Sequence, residues 1–187
     1  MMVTNDTDLM SSHQKIIESE KSLNIARWFR NFVYLPWYTR KCFNTEVRAQ
    51  ISNAVQQAEQ DHAGEIQVII EGHLPLDIAL RGNTRLRAKQ LFAEYGVWDT
   101  AYNSGVLLYI NLCERKVEIV ADRGIDHFVT SEHWNTICDN ITALLKQKQY
   151  SAGVISGIEQ IGQVLNQYYD KKIKDLGNEL NNQAIFL

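Results

Sequence analysis

The chain has 187 residues, of which 45% are hydrophobic, 22% charged and 10% aromatic, ordinary globular material for one domain with an appendage. Its net charge of -3 argues against nucleic acid as the main partner, because a surface that tracks phosphates needs a cationic excess. Three cysteines, Cys42, Cys113 and Cys138, follow no ligand or disulfide spacing, and the odd count points to reduced thiols filling the core.

Residues 1–24 are polar, hold no sustained apolar period, and lack the basic-then-apolar pattern of a signal peptide. No later apolar run approaches the roughly 20 residues that a spanning helix needs. The sequence therefore predicts a cytoplasmic protein, at most peripheral to the inner membrane. Residues 25–43 (IARWFRNFVYLPWYTRKCF) hold seven aromatics together with Arg27, Arg30, Arg40 and Lys41, and no acid. Two readings stand for this segment. Aromatics interleaved with cations suit a membrane interface, where ring and guanidinium both sit at headgroup level. A helix and turn broken at Pro36, packed on the domain or on a second copy, needs the same residues.

The spacing predicts a helix over 44–64, with Thr45 as cap, Val47, Ile51, Ala54, Val55 and Ala58 on one face, and Gly64 as the stop. EIQVIIEG (65–72) alternates and is β-branched, so it reads as a strand. Residues 83–98 read as a helix with an Asn83 or Thr84 cap and a stripe of Leu86, Leu91, Phe92 and Tyr95. GVLLYINL (105–112) is the near-continuous apolar run of a central strand. CERK makes a tight turn into a third strand, VEIVA (117–121). A helix capped by Ser131 follows, with Trp134, Ile137, Cys138, Ile141, Leu144 and Leu145 in register. The last helix, over 151–169, places Val154, Ile158, Ile161, Leu165 and Tyr168 together, and its small residues Gly153, Ser156, Gly157 and Gly162 permit close approach. The remainder is polar until its last residues and is expected to be mobile. The predicted organisation is an extension (1–44), an α/β domain (45–170) and a tail (171–187). The expected fold is a three-layer α/β/α sandwich, with a small mixed sheet, a central β-hairpin and helices on both faces.

A two-residue turn at Glu114-Arg115 would pair Leu112 with Val117 and Leu107 with Asp122. In such a hairpin the start of one strand lies beside the end of the next. The loop WDTAYNSG (98–105) then sits beside the corner DRGID (122–126), bringing Asp99 and Asn103 toward Asp122, Arg123 and Asp126. The helical connection allows the first strand to run parallel to the third, which would deliver Glu71, His73 and Asp77 to the same edge. Carboxylates gathered with an amide form a hard-cation site for calcium or magnesium. Asp99, Asn103, Asp122 and Glu71 are the candidate metal ligands. A metal so placed could activate water, and Arg123 could neutralise a phosphate. The catalytic set would be Asp122, Arg123 and Asp126, with Asp126 or His73 positioning the water. The bland alternative is a local Asp122–Arg123 salt bridge, a turn at Gly124 and a capping Asp99. His62, His73, His127 and His133 lack zinc spacing, Ser104-Gly105 is no nucleophile elbow, and no phosphate loop or dinucleotide fingerprint is present.

Three stretches carry a resemblance: HAGEIQVIIEG, LFAEYGVWDTAYNSGVLLYINLCERKVEIVADRGI and YSAGVISGIEQIGQVLNQYY. The strand entry GE[IL], the segment WDTxxNxGVL and the corner RxVEIVADRG[IL] together resemble the TPM domain family over Arg48 to Tyr169. They look closest to a short bacterial subgroup with no signal peptide or membrane anchor. The resemblance implies an α/β/α sandwich, and for a chloroplast member acid phosphatase activity with calcium bound at acidic residues near strand ends. The matching positions here are Asp99, Asn103, Asp122 and Asp126, with Arg123 as a phosphate contact. It also implies LemA-type membrane proteins as partners in envelope maintenance.

Overall fold

The computed structural model describes residues 24–60, 63–169 and 180–187. Residues 1–23 of the expected extension fall outside these residues, as does most of the expected tail. Two short helices open the described chain, α1 (Ile25–Phe32) and α2 (Pro36–Cys42). Asn24 caps α1 by accepting the Arg27 amide at 2.9 Å. Pro36 opens α2, where a missing N–H costs nothing. The first long helix, α3 (Thr45–Ala58), is capped one residue earlier than expected, by the Asn44 side chain on the Val47 amide.

The strands are β1 (Glu65–Glu71), β2 (Gly105–Asn111), β3 (Lys116–Ala121) and β4 (Ile185–Phe186), arranged β3-β2-β1-β4 in a mixed sheet. Between β1 and β2 lie α4 (Leu76–Arg81) and α5 (Thr84–Glu94), the latter capped by Asn83. The four-residue α6 (Arg123–Asp126), then α7 (Ser131–Lys146) and α8 (Tyr150–Tyr168) follow β3.

Alternation along the strands sorts side chains to two faces. Ile66, Val68, Ile70, Val106, Leu108, Ile110, Val117 and Ile119 form one core with α3, α7 and α8. Ile69, Leu107, Tyr109 and Val120 form a second with Ala88 and Leu91 of α5 and with Val97. Helices therefore cover both faces, which is the expected three-layer α/β/α sandwich. Among the described residues no helix is long and apolar enough to cross a membrane.

Thr130 rather than Ser131 caps α7, and three details of the sheet also differ from the sequence reading. Strand β1 runs parallel to β2 and so antiparallel to β3. The hairpin pairs Ile110 with Val117 and Leu107 with Val120, two residues away from the expected register. The loop is longer because Asn111 Oδ1 accepts the Glu114 amide at 2.9 Å and Arg115 turns through a positive φ of 53°. A slip of two leaves every side chain on its predicted face. Finally, Ile185 and Phe186 pair with Ile69 and Ile70 as a fourth strand, where a mobile end was expected.

One half-buried carboxyl gives the fold a pH dependence. Glu59, at the end of α3, accepts the Ile66 amide at 2.7 Å. Burial pushes its carboxyl from 4.5 up to about 8, against the pull of the Ile66 bond and with some help from the Glu65 charge. A carboxyl that holds its proton more tightly when folded adds stability below its unfolded pKa. That contribution is lost as pH rises through about 8. Urea denaturation should show stability falling between about pH 5 and about pH 8.5, and Glu59→Gln should flatten this slope. An identical slope in the variant would remove Glu59 as the cause.

Candidate functional site

The two acidic loops meet. The Asp122 amide donates to the Gly105 carbonyl at 2.9 Å, and the Gly124 amide to that of Asn103 at 3.0 Å. These bonds tie the entry of β2 to the exit of β3, as antiparallel pairing requires. The entry loop is held from within as well. Thr100 Oγ1 accepts the Ser104 amide at 2.9 Å, and Ser104 Oγ donates to the Ala63 carbonyl at 2.8 Å. Asn103 sits at φ 51°, a left-handed position that asparagine tolerates better than most residues. Asn103 is thus tied to the corner of Asp122, Arg123 and Asp126, while Asp99 lies upstream on the same loop with its amide on the Gly96 carbonyl at 2.9 Å.

Asp122 is the unusual member. It caps α6, with Oδ1 accepting the Arg123 amide at 2.7 Å. The residue is only 6% exposed, and Oδ2 has no hydrogen-bond partner among the described residues. An enclosed carboxylate oxygen left in that state costs about 1–3 kcal/mol. Arg123 does not quench it: its side chain is exposed and makes no ion pair among the described residues. Tyr169, just past α8, closes over the same corner; the sequence reading put its neighbour Tyr168 in the helical stripe and gave Tyr169 no role. Burial, and then the charge of Asp122, raise the pKa of its hydroxyl.

Gly124 completes the corner. A Cβ built there would lie 2.4 Å from the Asn103 carbonyl oxygen, 2.6 Å from that of Tyr102 and 2.6 Å from the Tyr169 hydroxyl. Only glycine leaves this ring of oxygens open. Asp99, Asn103 and Asp126 are exposed. No three Asp, Glu, His or Cys side chains converge on a metal-sized point among the described residues. The acidic groups form no cage there among the described residues.

Glu71 does not belong to this site, and nor do His73 and Asp77. Because β1 is parallel to β2, Glu71 pairs with Asn111 at the far end of the sheet, a strand length of roughly 20 Å from Asp122. There its Oε1 accepts from Arg87 Nε at 3.0 Å and Nη2 at 2.8 Å, while Oε2 accepts from the Tyr109 hydroxyl and from Asn111 Nδ2. Burial and the Glu71 carboxylate hold the Tyr109 phenol far above its usual range. Glu71 is fully engaged and structural. His73 stacks on Tyr34 at 5.9 Å, and Asp77 stands in the first turn of α4.

The aromatic segment packs through one side only. Arg27 reaches the carbonyls of Ala79 and Gly82, and Asn31 binds Glu114 and the Leu74 amide. On the other side Phe29, Phe32, Leu35 and Trp37 are each more than half exposed. The cysteines are free thiols, and burial pushes that of Cys138 up to about 12.

A mixed sheet with a central hairpin between two helical layers defines a class of small α/β/α domains seen in several bacterial proteins. The BA42 protein of the psychrophilic bacterium Bizionia argentinensis superposes with a TM-score of 0.68 at 28% identity, over 77% of this chain and 94% of that one. The N-terminal domain of a P. gingivalis protein gives 0.55 at 18% identity, over 66% and 76% respectively. That of cg2496 from Corynebacterium glutamicum gives 0.51 at 12%, over 73% and 81%, and these two share the fold alone. No curated protein matches the chain. The profile of the TPM domain matches residues 39–164, and the chain belongs to that family.

Proposed function

We propose that this TPM domain binds a divalent cation at the Asp122 corner and uses the bound ion to recognise a phosphate. The observation that carries the reading is the enclosed, unpartnered Oδ2 of Asp122. A carboxylate oxygen, two backbone carbonyls beside Gly124 and water are the hard oxygen ligands that calcium accepts. The carbonyls and water matter here because no carboxylate cage is present. Arg123 stands exposed beside this ring and could hold a phosphate, with Asp126 exposed on the same turn. A bound cation would supply Lewis acidity to a phosphoryl oxygen. Hydrolysis of a phosphomonoester at acid pH is the reaction that such a site would serve.

Asp122→Asn keeps an acceptor for the Arg123 amide and removes the charge. Saturating calcium should raise wild-type stability, by about 2.7 kcal/mol at a hundredfold excess over Kd, and should leave the variant unchanged. The cation-free variant should be the more stable of the two cation-free proteins, by about 1 kcal/mol, because an unpaired buried anion has gone. Any phosphomonoester hydrolysis should vanish with the calcium effect. Equal calcium responses in thermal melts of the two proteins would refute the assignment.

A further inference from the structure

At the opposite end of the sheet, beyond the carboxyl end of β2, lies a cavity of about 310 Å³. Arg115 comes to it from the β2–β3 turn, Lys146 from the end of α7 and Lys148 from the α7–α8 connection. Tyr38 of α2 and Tyr150 of α8 close it, with Thr142 on the α7 side. No carboxylate lines it. The nearest in sequence, Glu114, is turned away and held by Arg30 at 2.8 Å. Among the described residues Arg115, Lys146 and Lys148 form no ion pair. All three are exposed and gather like charge along one hollow, a field that favours an entering anion.

The backbone makes the same point independently. Among the described residues only Asn103, Arg115 and Lys148 take a positive φ without being glycine, and two of the three line this cavity. Lys148, at φ 63°, occupies the left-handed position after α7. Its amide donates to the Leu145 carbonyl, and the next amide, of Gln149, donates to that of Leu144. That is the cap where glycine fits best. Strained non-glycine residues persist where another demand holds them. The Tyr38 and Tyr150 hydroxyls lie 2.7 Å apart in a hydrogen bond that either can donate, and the Cys42 thiol also neighbours Tyr150. Burial, and then the bond to Tyr38, raise the pKa of the Tyr150 hydroxyl, so it keeps its proton at neutral pH. Ligands of open α/β sheets sit in the crevice beyond the carboxyl ends of parallel strands, which is where this cavity lies relative to β1 and β2.

We propose that this cavity binds a phosphate-bearing ligand, with Arg115, Lys146 and Lys148 neutralising its oxygens and the Tyr38–Tyr150 pair donating a hydrogen bond. The ligand is a soluble phosphorylated molecule or the headgroup of an anionic lipid. The lipid case gains from the exposed Trp37 ring, which stands edge-on to Tyr38 with Lys41 over it.

Two probes separate the sources: calorimetric titration with pyrophosphate, and co-sedimentation with vesicles of phosphatidylglycerol against phosphatidylcholine. Both are run on the full chain in EDTA, so that no cation at Asp122 contributes. Wild-type protein should bind pyrophosphate, phosphatidylglycerol vesicles or both. The R115Q/K146Q pair should weaken that binding by about tenfold or more. Lys148→Gly should weaken it as well while raising the melting temperature, since glycine suits the left-handed cap, so loss of folding cannot mimic the effect. Absence of wild-type binding to either probe, or unchanged affinity in these variants, overturns the proposal.

Discussion

Replacing Arg87 with Met is expected to destabilise the protein by about 3–5 kcal/mol, the range seen when one partner of a buried ion pair is removed. The Glu71 side chain is 4% exposed and that of Arg87 15%, and the guanidinium meets Glu71 Oε1 through two donors. Met preserves the packing of the stem while leaving the carboxylate charged, enclosed and dependent on Tyr109 and Asn111 alone. The double variant Arg87→Met/Glu71→Met should recover part of the loss, because no unpaired charge then remains in the interior. Urea denaturation of the three proteins decides the matter. A loss under about 1 kcal/mol for the single variant would mean that Glu71 has other recourse, such as water or a proton.

Gly105→Ala should cost about 3 kcal/mol or more, the top of the range for overpacking. A Cβ at this position would lie 1.9 Å from the Val97 carbonyl oxygen, and backbone cannot yield as a side-chain tip can. The Gly105 carbonyl also receives the Asp122 amide, so the clash displaces the loop holding Asp99 and Asn103 together with the corner opposite. Calcium stabilisation should fall with fold stability. A variant that melts like wild type would mean that the Val97 turn can shift without cost.

The architecture was legible because its signals are local. Alternation in 65–72, the apolar run at 105–112 and the helical stripes in α3, α7 and α8 each name a face, and those faces fit together in one way. The meeting of the Asn103 loop with the Asp122 corner also follows from local chemistry, since a hairpin must place its two outer ends side by side. Glu71 went astray because its position depends on whether β1 pairs with β2 or runs parallel to β3, which no single segment encodes. Its true partner, Arg87, lies a helix away and looks like any surface cation. The fourth strand was missed since two residues at a chain end carry no period, and Tyr169 because the helical period picks out Tyr168 beside it. Arg115, Lys146 and Lys148 look like a solvated turn and helix end until the fold draws their loops around one hollow.

Calorimetric titration of calcium into wild-type protein and into Asp122→Asn tests the assignment of the Asp122 corner most directly. The proposed site predicts saturable heat at one site in the wild type and none above dilution in the variant. Equal heats from both proteins, or none from the wild type, would contradict it.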